Sequence, residues 1–375
     1  MTRVTIVPVA SGRDRRQFIE LPFRLYRENP YWVAPLRGDI QRLLTPGRHP
    51  VHAELDISPF LACAADRVVG RIAAVRNRAH NLAHADRVGF FGFFECENDA
   101  EVAAALLDAA RAQLASAGLD RVRGPASPSM HYECGLLVDS FDAMPVLKMP
   151  YNPPWYAAQL EAAGLQQVMD LHAFWVDRGT LRRDEKVQRI LARLRERSEI
   201  GVRMLDMKRF DRDVGIMHRI YNEAWAKNWG FHPMSEAEFR AEAQGLRYLA
   251  EPPLCLFAET EGVPIAFLVA LRDVNPALQR LRGRLFSPAL LGLLRLRRRA
   301  KRMRIAIAGA LPDKRGQGVM ALLYDQIIET GLERGIEACE MSWVLESNAV
   351  MRHTAEAFGA RVYRTYRMYE GEVAR

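Results

Sequence analysis

The sequence predicts an α/β (α+β) protein of two similar halves, each a mixed central sheet flanked by helices. Three observations predict it. Short apolar runs alternate with helical patterns along the chain, and the order of these elements repeats once. The second copy also carries a glycine-bearing turn, Arg315-Gly316-Gln317-Gly318-Val319-Met320, between a strand and a helix.

The repeat is read element by element. Pro59 to Ala65 and Val68 to Val75 are apolar runs around the turn Ala65-Asp66-Arg67, and Leu254 to Ala258 and Pro264 to Leu271 match them around Glu259 to Gly262. Val88 to Phe94 then corresponds to Ile305 to Leu311 as the next strand. The helical pattern Ala100 to Ala115 before Gly118 corresponds to Val319 to Glu333 before Gly335. Each copy closes with an Asn-led helix ending in glycine, Asn152 to Gly164 and Asn348 to Gly359, and then a last strand. Five features in one order indicate an internal duplication.

At 375 residues the chain has room for two cores. The expected partition is 1–178, a connecting amphipathic helix within 179–205, and 206–375. In the connector, Val187, Ile190, Leu191 and Leu194 share one face. A 49% hydrophobic and 26% charged composition belongs to a globular protein and excludes a disordered one. The five cysteines lack metal or redox spacing and read as reduced buried thiols, Cys134 beside Glu133 included; no metal is expected. Met1 to Val9 lacks a signal-peptide pattern and no run reaches the roughly 20 apolar residues that span a bilayer, so the expected location is cytoplasmic.

The net charge of +8 is local: ten basic residues and no acid lie between Arg280 and Arg304. This argues against an extended nucleic-acid groove. In the surrounding segment 274–304, Leu285, Phe286, Leu290, Leu291, Leu293 and Leu294 alternate with the charges, and Pro288 divides it. Such a pattern suits a surface resting on an anionic membrane; a helical pair covering the sheet and an RNA-binding arm are the other readings.

A strand, a glycine turn and a helix N-terminus together make an anion site, because glycine lets the backbone approach and unpaired N–H groups point outward along the helix dipole. The order from Ile305 to Tyr369 resembles the C-terminal half of the GNAT acyltransferases. That resemblance implies acyl-CoA as co-substrate, with Gly309, Ala310 and Leu311 offering backbone groups to pantetheine. Arg315, Gly316, Gln317, Gly318 and Val319 would cradle the pyrophosphate, with Asn348 nearby. Met320 stands where the family usually has Gly or Ala. The first copy has Glu95-Cys96-Glu97-Asn98-Asp99-Ala100-Glu101 at this place, whose four carboxylates repel a pyrophosphate, so only the second copy is expected to bind the donor.

The whole chain is similar to the tandem-GNAT family that includes the bacterial ceramide synthases. The segments that carry the likeness include Phe90 to Glu95, Glu133 to Asp139, Met149 to Pro154, Tyr221 to Trp225, Asn228 to Phe231, Gly283 to Phe286 and Arg361 to Tyr366. The resemblance implies amide formation between a long-chain acyl-CoA and a lipid-like amine such as a sphingoid base, by direct attack on the thioester. Two other readings are an N-acetyltransferase acting on a soluble small amine and a non-catalytic CoA-binding module. For proton handling, Glu346 follows the strand beside the cofactor strand and serves either as base or as helix cap. Many GNAT enzymes place a Tyr acid where this chain has Ala355; His353 is the nearest substitute, with Tyr366 and Tyr369 as weaker candidates. Acceptor recognition is expected from Glu223, Trp225, Asn228, Trp229 and Phe231, either as a channel or as core.

Overall fold

The computed structural model describes residues 3–197, 200–284, 292–293 and 295–373. It divides into two compact units. The first holds the chain up to Leu171, a piece beginning at Asn275, and the chain from Arg364 onward. Its elements run β1 (Val4–Pro8), α1 (Gly12–Leu25), α2 (Arg37–Leu43), β2 (Leu55–Ala64), β3 (Arg67–Asn77), α3 (Arg78–His84), β4 (Val88–Cys96) and α4 (Ala100–Ser116). After these come β5 (Arg121–Gly124), β6 (Ala126–Ser127), β7 (Glu133–Cys134), β8 (Leu136–Leu137), α5 (Tyr156–Ala162) and the start of β9 (Gln166–Asp177). Strands β1 to β4 pair in sequence as an antiparallel meander, and β4 pairs with β5 in parallel. Helix α4 covers one face, burying Leu106, Leu107 and Leu114 against Val69, Ile72 and Val122. Asp99 caps α4 by accepting from the N–H groups of Glu101 and Val102.

The second unit takes the rest of β9, then α6 (Glu185–Arg197), β10 (Ile200–Met204), α7 (Phe210–Trp225), α8 (Glu236–Leu246), β11 (Cys255–Thr260) and β12 (Val263–Arg272). A short helix α9 (Asn275–Leu281) follows and is counted with the first unit; β13 (Arg302–Ala310), α10 (Val319–Glu333), β14 (Ala338–Leu345), α11 (Ala349–Ala357) and the start of β15 (Arg361–Glu372) complete the second. The strand order is β9-β14-β13-β12-β11-β10, antiparallel from β13 to β10 and parallel between β13 and β14. Helix α10 packs on one face, where Val319, Leu323 and Ile327 meet Met303, Ile305 and Met341. On α6, Val187 and Leu191 are buried in that same core.

Two expectations need correction. The partition at 178 and 206 places the last strand wholly in the second half, whereas Arg364 onward belongs to the first unit. There β15 pairs antiparallel with β5 from Tyr369↔Gly124 to Glu372↔Arg121, covering what would be an open sheet edge. The basic segment is likewise not all free surface. Asn275 Nδ2 donates to the Pro145 carbonyl at 2.8 Å, Gln279 Nε2 to that of Pro30 at 2.7 Å, and Arg37 N–H to that of Gly283 at 3.1 Å. Leu285, Phe286, Pro288, Leu290, Leu291 and Leu294 lie outside the described residues. Among the described residues no helix is long and apolar enough to cross a membrane.

Candidate active site

Strands β13 and β14 are parallel partners only from Arg302↔Ala338 to Ile305↔Met341. Beyond Ile305, β13 continues along β12 alone, and a register shift between Val269 and Ala270 leaves Ala306 as the bulged residue. A bulge bends its strand and increases the local twist, so β13 turns away and a wedge opens between the two strands. Gly309 and Ala310 end this unpaired length of β13, and Leu311 follows it. The Gly309 position is tight on its other side. A Cβ there would lie 2.9 Å from the Ala224 Cβ, so only glycine lets α7 approach this close.

The glycine turn follows at once. Gly316 and Gly318 both adopt left-handed backbone, at φ +77 and +80. Gly318 caps α10 without a side-chain hydrogen bond, so the first-turn N–H groups have no side-chain cap. Beside Gly316 the space is open, whereas a Cβ on Gly318 would meet Ile190 of α6 at 2.6 Å. The Arg315 guanidinium donates to the Ala224 carbonyl at the end of α7, joining the turn to that helix. Met320, the departure from the family pattern, is partly buried and packs against the core under α10.

The end of α7 lies over the same face of β13 as Gly309. Trp225 Nε1 donates to the Ala308 carbonyl at 3.1 Å, and the rings of Trp225 and Phe231 lie within 5.0 and 5.3 Å of Tyr221. Phe231 is buried, Trp225 and Trp229 are partly so, and Glu223 is exposed. Asn228 builds the turn between them, its N–H on Trp225 O at 2.8 Å and its carbonyl accepting from Phe231 N–H at 3.2 Å.

The other predicted residues lie around α11 and β15. Asn348 is the N-cap of α11, its side chain accepting from Met351 N–H at 3.1 Å. Its carboxamide oxygen thus has a structural task. Glu346 is half-buried just past β14, and its carbonyl accepts from Arg352 at 3.1 Å. His353 is exposed on α11, and Ala355 is buried. Tyr366 and Tyr369 belong to the first unit, where Tyr369 OH donates to Glu161 at 3.1 Å and burial pushes its pKa up to about 12. The strand carrying them leaves the second unit after Tyr363, so neither belongs to the unit that holds the turn.

Sequence reasoning passed over a buried polar group at the closed end of the wedge. Met303, Ile305, Cys339 and Met341 face α10, so by strand alternation Arg304, Glu340 and Ser342 face the other way. Glu340 is fully buried and accepts from Ser342 Oγ and from Tyr363 OH. Arg304 Nε donates to Ser342 Oγ at 2.8 Å and lies 3.8 Å from the Glu340 carboxylate. The signal for it was an arginine and a glutamate inside otherwise apolar strands.

The first unit has the same layout with the wedge closed. Its β4 pairs with β5 only from Val88↔Arg121 to Phe90↔Arg123. Beyond that point β6 fills the gap: a Cβ on Gly92 would sit 1.9 Å from the Ala126 carbonyl oxygen, and Phe93 N–H donates to Ser127 Oγ at 2.8 Å. The expected acidic turn is shorter than the sequence suggests, because Glu95 and Cys96 are still in β4. Glu95 accepts from Tyr26 OH at 2.7 Å and Tyr156 OH at 2.9 Å, and burial pushes its carboxyl up to about 7.

Residues 215–360 match the acetyltransferase (GNAT) family. The chain is 33% identical over 366 residues to Protein YghO of Escherichia coli, covering 96% of this chain and 93% of that one. It is also 33% identical over 375 residues to the bacterial ceramide synthase of Caulobacter vibrioides, covering 98% and 97%. The chain belongs to this family of tandem-GNAT acyltransferases. Among solved structures, a tandem GNAT protein from the clavulanic acid biosynthesis pathway superposes with a TM-score of 0.60 at 12% identity over 100% of this chain and 99% of that one. A GCN5-related N-acetyltransferase from Sphaerobacter thermophilus gives 0.53 at 12% over 100% and 96%. At such identities these two show the fold. As a GNAT-superfamily member the protein is an acyl-CoA-dependent acyltransferase, with acyl-CoA as its donor.

Proposed function

We propose that the protein forms an amide between a long-chain acyl group and the amine of a sphingoid-type base. The observation that carries this is near-full-length similarity to the bacterial ceramide synthase. The aromatic group of Tyr221, Trp225 and Phe231 beside the wedge supports it as an apolar wall for a chain.

In this reading the N–H groups of Gly316, Gln317, Gly318 and Val319 hold the pyrophosphate. The residues fit such a group: the helix first turn lacks a side-chain cap, and the space at Gly316 is open. Gly309, Ala310 and Leu311 offer backbone groups to the pantetheine on the side that β14 has vacated. When bound, the donor supplies an acyl group activated as a thioester. The protein aligns the amine with it, keeps water out through the aromatic wall, and places backbone N–H groups near the carbonyl oxygen that gains charge. We further propose that the enzyme works at an anionic membrane surface, through the exposed Arg295, Leu296, Arg298 and Arg299.

The test is an acyl-chain-length profile from acetyl-CoA to palmitoyl-CoA against sphingoid bases and simple amines, with product amides read by mass spectrometry. Expected is amide from palmitoyl-CoA and a sphingoid base. Turnover of acetyl-CoA with simple amines alone would remove the long-chain reading.

A further inference from the structure

Within the segment Tyr221 to Trp225, one of those that carry the family likeness, Asn222 has no part in the function as read above. Its side chain pairs with both backbone groups of Met234. Oδ1 accepts from the Met234 N–H at 3.0 Å, and Nδ2 donates to the Met234 carbonyl at 3.0 Å. His218 Nε2, one turn earlier on α7, stands 2.7 Å from the same carbonyl oxygen. A carboxamide paired in this way takes the place of a peptide partner, so the loop from Ala226 to Met234 is closed at its base onto α7. That loop carries Phe231, whose ring meets Tyr221 edge-on at 5.3 Å and lies 6.3 Å from the indole of Trp225.

Trp225 itself reaches the wedge. In an antiparallel pair, successive residues alternately turn their N–H and C=O groups to the partner strand and away from it. Leu311 N–H bonds the Ile265 carbonyl at 2.9 Å, so Gly309 turns to β12 as well, while Ala308 and Ala310 turn away. Away from β12 is the side that β14 has vacated. Among the three residues read above as pantetheine contacts, Ala310 is thus the one whose backbone groups face that side. The Ala308 carbonyl lies three residues inward of Leu311, roughly 10 Å along the strand, and accepts from Trp225 Nε1 at 3.1 Å. The edge of the indole therefore stands in the wedge, in the path of a donor arm that enters past Leu311.

We propose that Trp225 selects the length of the donor's acyl chain, and that Asn222 is the positioning residue that holds Phe231 against it. The proposal rests on the long-chain reading above. The indole is held from two sides, its N–H on the Ala308 carbonyl and its ring 5.0 Å from that of Tyr221. A ring held so presents a fixed apolar surface to the chain. Each methylene that such a surface accepts or excludes changes binding about fourfold.

The experiment measures kcat/KM for myristoyl-, palmitoyl- and stearoyl-CoA with the amine that the wild type accepts, in wild type, Trp225→Ala, Trp225→Phe, Asn222→Ala and Asn222→Asp. Removing the indole leaves room for more chain, so the stearoyl-to-myristoyl ratio should rise about tenfold or more in Trp225→Ala. Trp225→Phe keeps a ring, loses the N–H and guards against loss of fold; its ratio should rise about threefold or more. Asn222→Ala should move the ratio the same way by about threefold, and Asn222→Asp, which keeps the acceptor for Met234 N–H, should fall between it and wild type. A merely structural role lowers every donor by one factor and leaves the ratio alone. A ratio unchanged in the Trp225 variants, or moved toward shorter chains, overturns the selector while wild-type long-chain turnover keeps the long-chain reading intact. A ratio unchanged in Asn222→Ala alone overturns the positioning role. Absence of long-chain turnover by the wild type overturns both readings.

Discussion

Gly316 and Gly318 share a left-handed backbone but differ in what surrounds them. Neither can take a side chain without strain at a positive φ, which costs about 1 kcal/mol for alanine. At Gly316 nothing stands within 4 Å, so Gly316→Ala should lose only that amount. At Gly318 the added methyl also meets Ile190 at 2.6 Å and Leu194 at 3.0 Å, and α6 must shift. Urea unfolding should show Gly318→Ala losing about 2–3 kcal/mol. Equal losses at the two sites would mean that α6 does not rest on the turn. Both glycines are legible in the sequence as a turn; their inequality is not, because it depends on a helix more than a hundred residues away.

At the level of elements, the two copies differ in a strand pair that is open in one and plugged in the other. Both central parallel pairs end early, after Phe90 in β4 and after Ile305 in β13. In the first unit β6 enters the gap, and the Ala126 carbonyl sits where a Gly92 side chain would start. Because the obstacle is backbone, it cannot yield as a side chain can. Gly92→Ala should therefore cost more than about 3 kcal/mol, read as a large drop in melting temperature or as failure to fold. A drop of only a degree or two would show that the plug is mobile. The sequence disfavours the first copy through its acidic turn. In the structure Glu95 lies in β4 under two tyrosine hydroxyls, Asp99 is a helix cap, and the Ala126 carbonyl of β6 stands where a Gly92 side chain would start.

Over the whole molecule, the basic excess is smaller at the surface than the composition suggests. Of the ten basic residues between Arg280 and Arg304, four face carboxylates: Arg297 with Glu251, Lys301 with Glu337, Arg302 with Asp273 and Arg304 with Glu340. Arg295, Arg298 and Arg299 are exposed beside Leu296. If this patch meets an anionic surface, the triple reversal Arg295→Glu, Arg298→Glu, Arg299→Glu should abolish co-sedimentation with phosphatidylserine vesicles and leave the melting temperature within a few degrees. Wild-type binding should weaken as salt rises, since exposed charges are screened over roughly 10 Å at 0.1 M. Undiminished binding by the triple variant would move the contact elsewhere.

By itself the sequence determined the fold class, the duplication and the strand–turn–helix that marks the second copy. These are local properties: a strand of period two, a helix of period 3.6 and a glycine turn are each set by a few neighbouring residues, and helix α10 and strand β14 fall on their expected ends. Only the tertiary structure decided where β15 pairs, which wedge is open, and which charges are surface and which are core. Arg304 and Glu340 stand 36 positions apart yet face each other on parallel strands, and Tyr363 reaches the same carboxylate from a third. Such a group has no local pattern, because its cost of burial is offset by partners that only the assembled sheet brings together.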